Sequence, residues 1–334
     1  MQMNMPSNKR WIGIWLAAIA TVALLVPNAL AQSGTYPNKP IDIIVAFGPG
    51  GASDSTARLI APYLSKKWNQ PVNIINQAGG SGIPGTNQVM RAKPDGYTIL
   101  LDAHANNSML GAARSDLPFK WDSRTPIARL YLEPVVYTVK SDAPWKTLKD
   151  LLAAVKADPK AFKWGAGGVG SIGMFSTMEL FVQNGIDVNE TNRVIFAGGG
   201  PTVTALAGGH VALAGHQLSE VLPLVSGGLL KGLAVVSSER VPQLPQVPTV
   251  KEAGFPTLQV TGWTAISGPP NLPKEVVDKW NSAFKEMLAD TEMSKKAEQV
   301  GKIPAYLGPE DFNRYMHDQF NLYRKLAETA NVKK

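Results

Sequence analysis

The chain has 334 residues, with 33 Lys and Arg against 26 Asp and Glu, and it contains no cysteine. Disulfides, thiolate metal sites and a thiol nucleophile are therefore excluded. The positive charge is scattered, without the basic stripe and interleaved aromatics of a nucleic-acid binder, and suits the attraction of small anions.

At the N-terminus, Lys9 and Arg10 precede an apolar run from Trp11 to Leu25, and Ala29-Leu30-Ala31 follows. A positive start, a short hydrophobic stretch and a small-residue site define a cleaved secretory signal peptide over residues 1–31. The run is short for a membrane span of about 20 apolar residues. The mature chain is expected to begin at Gln32 with 31 basic and 26 acidic side chains. It lacks the cysteine that lipid attachment needs, so the expected product is a free protein of the periplasm; a monomer is expected.

Ile41 to Phe47 is β-branched and apolar, as a strand buried on both faces would be. Ser53 or Asp54 can cap the helix that follows, in which Pro62 is expected to cause a bend. Val72–Ile75 and Tyr97–Leu101 read as further strands, alternating with helices at the spacing of parallel crossovers. A second set begins with the extended stretch Val135–Val139, and "TLKDLLAAVKADP" (147–159) is an amphipathic helix. Phe162-Lys163-Trp164 and Val194-Ile195-Phe196 each lead through glycines into a helix, the second with Pro201 near its start. Val211–Ala214 and Leu233–Val236 are short strands, and His210 and His216, flanking the first of them, read as structural. Helices open at Pro273, near Thr291 and at Pro309, the last with a stripe of Phe312, Met316, Phe320 and Tyr323. This is an α/β chain of two lobes, 32–132 plus 262–334 and 133–261, each expected to hold a mostly parallel sheet flanked by helices. The stretches 128–140 and 258–270 are expected to be the crossings between them.

Strand, glycine loop and helix recur at 47–54, 165–171 and 197–201. Loops after parallel strands gather at the carboxyl edge of a sheet, and helix N-termini offer unpaired N–H groups to an anion. No lysine follows these glycines as a Walker A loop requires. Gly48-x-Gly50-x-x-Ser53 approaches a dinucleotide fingerprint, but the second strand ends in Asn76-Gln77 without a ribose-binding acid. There is no G-x-S-x-G nucleophile elbow and no H-E-x-x-H, and the four histidines show no metal spacing. An enzyme, a metal and a cofactor are not expected. His104, in "DAHANNS", can face a cleft.

The motifs "YPNKPI", "PGGASDSTARLIAPYLS", "QPVNIINQAGGSG", "KPDGYT", "GGVGSIG", "GGGPTVTALAGG" and "LPQVPTVKEAGFP" occur in that order. With them the chain resembles the Bug-type substrate-binding proteins of tripartite tricarboxylate transporters. The resemblance implies a two-lobed, Venus-flytrap fold of the type II periplasmic-binding-protein class. It implies capture of a small carboxylate and delivery to membrane permease subunits; presentation of the ligand to a membrane sensor kinase is the alternative, an exported enzyme on this fold a more distant one. In the family, ligand carboxylates are held by backbone amides, small hydroxyls and waters. Carried over, this nominates Phe47, Gly50, Gly51, Ala52, Ser53 and Asp54 on one lobe. On the other it nominates Gly167, Gly168, Ser171, Ile172, Phe196, Ala197 and Gly198. His104 and the Asn106-Asn107 pair are cleft-edge candidates, and Trp263 either lines the cleft or packs. The family often has tyrosine-lysine-glycine at Phe196-Ala197-Gly198 and an aspartate at Ala212. Loss of that lysine favours a monocarboxylate, or a dicarboxylate with an apolar or aromatic body. Asp54 either serves its helix or meets an amino or amide group of the ligand.

Overall fold

Ile41–Val45 (β1) fulfils the demand of its β-branched sequence: every residue but Asp42 is buried, and it pairs on both edges. The computed structural model describes residues 1–2, 36–168, 170–196 and 198–329. The expected signal peptide, but for its first two residues, and Ala197 lie outside them. Met1–Asn38 and Lys39–Lys334 are separate units, and the architecture below is that of the second.

After β1 come α1 (Ala52–Trp68), β2 (Val72–Asn76), α2 (Ile83–Met90), β3 (Thr98–Ala103), α3 (Ser108–Ala113) and β4 (Thr125–Glu133). There follow β5 (Val135–Lys140), α4 (Leu148–Ala157), β6 (Lys163–Ala166), α5 (Ile172–Gln183), β7 (Asn192–Ile195) and α6 (Gly199–Ala207). The chain continues with β8 (Ala214–Gln217), α7 (Leu218–Ser226), β9 (Leu230–Val236) and β10 (Gly262–Gly268). It closes with α8 (Lys274–Ala289), α9 (Thr291–Gln299), β11 (Ile303–Leu307) and α10 (Pro309–Thr329).

Six strands form one sheet in the order β11-β4-β10-β3-β1-β2; β8-β5-β9 and β6-β7 form two smaller ones. β1 runs parallel to β2 and β3, and β6 parallel to β7. The strands at and beyond the crossings run the other way: β10 is antiparallel to β3 and β4, and β5 to β8 and β9. Mostly parallel sheets were expected in both halves; the pairing is mixed because β4 leaves the large sheet and β10 returns to it alongside, which antiparallel neighbours do at no crossover cost. The two crossings thus lie side by side, Gly262 opposite Glu133.

The last helix follows from its stripe. Phe312, Met316, Gln319, Tyr323 and Leu326 are buried, at alternating spacings of four and three, and Ala327, four past Tyr323, is buried with them. Its start packs Phe312 and Met316 on Trp263 and Ala265 of the large sheet. Its end places Tyr323, Leu326 and Ala327 in the core that surrounds Phe175, Phe181 and Trp164. Each fully buried apolar side chain contributes about 1.5–3 kcal/mol.

Glu179 fastens the return segment. It is fully buried on α5 and accepts the N–H groups of Gln259 (3.0 Å) and Val260 (2.8 Å). Burial raises its pKa to about 7, against the lowering effect of those two amides. Because the folded value exceeds the ordinary 4.5, the folded state binds more protons than the unfolded state between the two. The stability from this group is fully present below the ordinary value and is lost as pH rises through about 7. The expected loss is about 3 kcal/mol, and Glu179→Gln should remove it. Urea unfolding of both proteins at about pH 4 and about pH 8 measures it; parallel pH profiles would refute the assignment.

Candidate functional site

The first glycine loop turns between β1 and α1 with Gly50 at φ +81°, a left-handed value that favours glycine. α1 begins at Ala52 with Gly51 as N-cap and no side-chain cap. Ser53 and Asp54 therefore stand inside the first turn, not at the cap expected for them. Asp54 is buried and turned back from the helix start. Its Oδ2 accepts the Gly50 N–H and Arg58 Nε, both at 2.9 Å, and its Oδ1 accepts Asn76 Nδ2 at 3.0 Å. Burial pushes its pKa up, but the bonds from Arg58, Gly50 and Asn76 outweigh burial and hold it below the ordinary value. The carboxylate is thus spent on the loop, on its own helix and on Asn76.

The second loop ends at Ser171, whose hydroxyl caps α5 by accepting the Met174 N–H at 3.3 Å. The third opens α6 at Gly199, after Gly198 at φ +142°. The two loops touch through backbone: a methyl group on Gly167 would lie 2.7 Å from the Gly198 carbonyl carbon and 2.8 Å from the Gly199 nitrogen.

These starts converge on one cavity of about 220 Å³, lined by Phe47, Gly51, Ala52 and Ser53 from one side and by Gly167, Ser171, Ile172 and Gly199 from the other. Ala103, His104, Ala105, Glu133, His216, Gln217 and Glu220 complete it. Gly50, Asp54, Gly168, Phe196, Gly198 and Trp263 do not line it. Phe196 packs instead against the Val203–Leu206 core. Asn106 and Asn107, expected at the cleft edge, are fully buried beside Asp102 and Thr86, which they bind through their amides at 2.7–3.1 Å. A larger depression of about 640 Å³ lies between α1 and α9, lined by Arg58, Lys66, Lys67 and Lys296 among others. No glycine loop reaches it, so it is not the convergence point.

Trp263 is fully buried, its ring packed edge-on to Phe312 at 5.5 Å. It acts on the cavity through its backbone, whose N–H meets His104 Nδ1 at 3.1 Å. The same Nδ1 lies 3.2 Å from the Trp263 carbonyl oxygen, so both backbone groups of Trp263 hold that edge of the ring. Burial lowers the His104 pKa against the pull of Glu133 and of the Trp263 backbone.

A buried cation sits under the cavity. Lys302, 1% exposed, donates to Glu133 Oε1 at 2.6 Å and to the Ala52 carbonyl at 3.0 Å. Gln217 Nε2 donates to the second oxygen of Glu133. The charge of Glu133, at the end of β4, is thus matched, and the start of α1 is tied to the crossing. His216 Nδ1 lies 2.8 Å from Glu220 Oε2. Sequence reasoning missed Glu133, Gln217, His216, Glu220 and Lys302. Only the His216–Glu220 spacing of four, an acid one helical turn past a strand-end histidine, carried a local signal.

Among the described residues no group of three or more His, Asp or Glu could hold a metal, and no helix is long and apolar enough to cross a membrane. The family model described as "Tripartite tricarboxylate transporter family receptor" matches residues 56–332. The chain is similar to Rpa4515 of R. palustris, solved with adipate, at 27% identity and a TM-score of 0.80, over 89% of this chain and 98% of that one. It is similar to the periplasmic binding protein BugD at 28% identity and 0.75, over 90% and 100%. MatC of Rhodopseudomonas palustris, solved with malate, matches at 27% and 0.74, over 87% and 99%.

Proposed function

Since the chain belongs to the TctC family, the receptors of tripartite tricarboxylate transporters, we propose that it captures a small mono- or dicarboxylate between two lobes and delivers it to membrane permease subunits. The fold is the α/β periplasmic-binding-protein fold of that family, and the chain is a solute-binding receptor, not an enzyme. The lobes are 32–132 with 262–334 and 133–261, and the protein acts in the periplasm as a monomer after loss of residues 1–31. Two structural relatives were solved with the carboxylates adipate and malate.

One observation carries the reading. Ala52, Ile172 and Gly199, the first residues of three helices, line one cavity, and no Lys or Arg is among its described lining residues. Helix starts supply N–H donors and a partial positive charge, and charge-assisted hydrogen bonds are worth about 1.5–3 kcal/mol each. A carboxylate is the small ligand such a site suits. Closure of the lobes follows from contacts formed only when both sides reach the ligand.

A thermal-shift screen of carboxylates, amino acids, sugars and phosphates tests it. A carboxylate at 100-fold excess over Kd is expected to add about 2.7 kcal/mol of stability. Stabilisation by sugars or phosphates and by no carboxylate would refute the reading.

A further inference from the structure

Glu220 occupies ground that a ligand carboxylate would otherwise hold. It sits in the first turn of α7, yet its side chain reaches across to the start of α6. A methyl group on Gly199 would lie 2.6 Å from its carboxylate carbon. Its Oε2 meets His216 Nδ1 at 2.8 Å, and facing a carboxylate that nitrogen carries the proton. The Glu220 side chain is 30% exposed and His216 is buried, and both line the cavity.

The two walls therefore differ in sign. On the first wall the acid nearest the α1 start, Asp54, is spent on Gly50, Arg58 and Asn76 and does not line the cavity. On the second wall the α6 start already has a carboxylate against it. The other acid of the cavity, Glu133, is matched by Lys302 and Gln217. Among the described lining residues no Lys or Arg stands beside Glu220 to receive a second ligand carboxylate.

We propose that Glu220 is a specificity-determining residue, selecting a monocarboxylate whose far end carries a hydrogen-bond donor, hydroxyl or ammonium, and rejecting α,ω-dicarboxylates. The ligand carboxylate lies on the α1 start, and the donor meets Glu220. A second carboxylate there would face a like charge in a partly desolvated site. The role sought for Asp54, a carboxylate that reads an amino group, falls to Glu220. This rests on the carboxylate-capture reading above.

Isothermal titration with succinate, adipate, 4-hydroxybutyrate, 4-aminobutyrate, 6-hydroxyhexanoate and 6-aminohexanoate tests it. At the better-bound chain length the hydroxy or amino acid is expected to bind at least about tenfold tighter than the dicarboxylate. Glu220→Gln, at a partly exposed position, is expected to move that ratio about tenfold or more toward the dicarboxylate. A wild-type protein that binds the dicarboxylate more tightly overturns the proposal, with no variant needed. An unchanged ratio in folded Glu220→Gln also overturns it. A protein that binds no carboxylate in the thermal screen fails at the earlier reading; one that binds dicarboxylates best fails only here.

Discussion

Lys302→Met is expected to cost about 3–5 kcal/mol of stability and to weaken carboxylate binding sharply in the fraction that stays folded. The lysine reaches from the segment after α9 to two distant points, the Glu133 carboxylate and the Ala52 carbonyl. Methionine keeps the volume and removes the charge. Glu133, 1% exposed, is then left with one neutral amide donor, that of Gln217. A buried carboxylate without its cation carries most of its desolvation cost uncompensated. The start of α1 also loses its tether, so the amides of the first turn drift from the positions that meet a ligand. Urea unfolding measures the loss; a value below about 1 kcal/mol, the size of an exposed pair, would contradict the account. The double variant Glu133→Gln with Lys302→Met is expected to recover more than half of it, because no charge is then stranded.

Gly167→Ala is expected to weaken ligand binding about 30-fold while leaving the rest of the fold in place. Its methyl group would lie 2.7 Å and 2.8 Å from backbone atoms of Gly198 and Gly199. No rotamer change relieves a clash with backbone, so the two glycine loops must part. Parting them carries the α6 start, with the Glu220 carboxylate packed on it, away from the cavity and removes at least one charge-assisted hydrogen bond to the ligand, worth about 2 kcal/mol, or roughly 30-fold in Kd. Titration of the best carboxylate from the thermal screen reads this directly. Unchanged affinity would mean that the α6 start takes no part in binding.

The periodic parts of the molecule were legible in the sequence. The β-branched run at Ile41–Val45 and the stripe of the last helix follow from local pattern, and both lie where that pattern puts them. The three glycine loops were legible too, because strand, glycine and helix starts are contiguous. What was not legible depends on meetings of distant residues. Whether Asp54 faces the cleft is decided by Asn76 and Arg58, and nothing at position 54 says so. The Glu133–Lys302 pair joins residues 169 positions apart. Strand direction at β4 and β10 likewise depends on how the chain returns, which the strands' own composition does not encode.

The last helix shares both cores, with Phe312 and Met316 in one and Tyr323, Leu326 and Ala327 in the other. A rod anchored at both ends would load the proposed hinge. If the lobes close as proposed, opening shifts the Tyr323 ring against Phe175, 5.2 Å away centroid to centroid. On that proposal, this work contributes to the balance of open and closed forms before any ligand arrives, and observed affinity scales with the fraction of receptor in the binding-competent form. On that proposal, the sensitivity of the receptor is set in part by a helix that does not line the cavity.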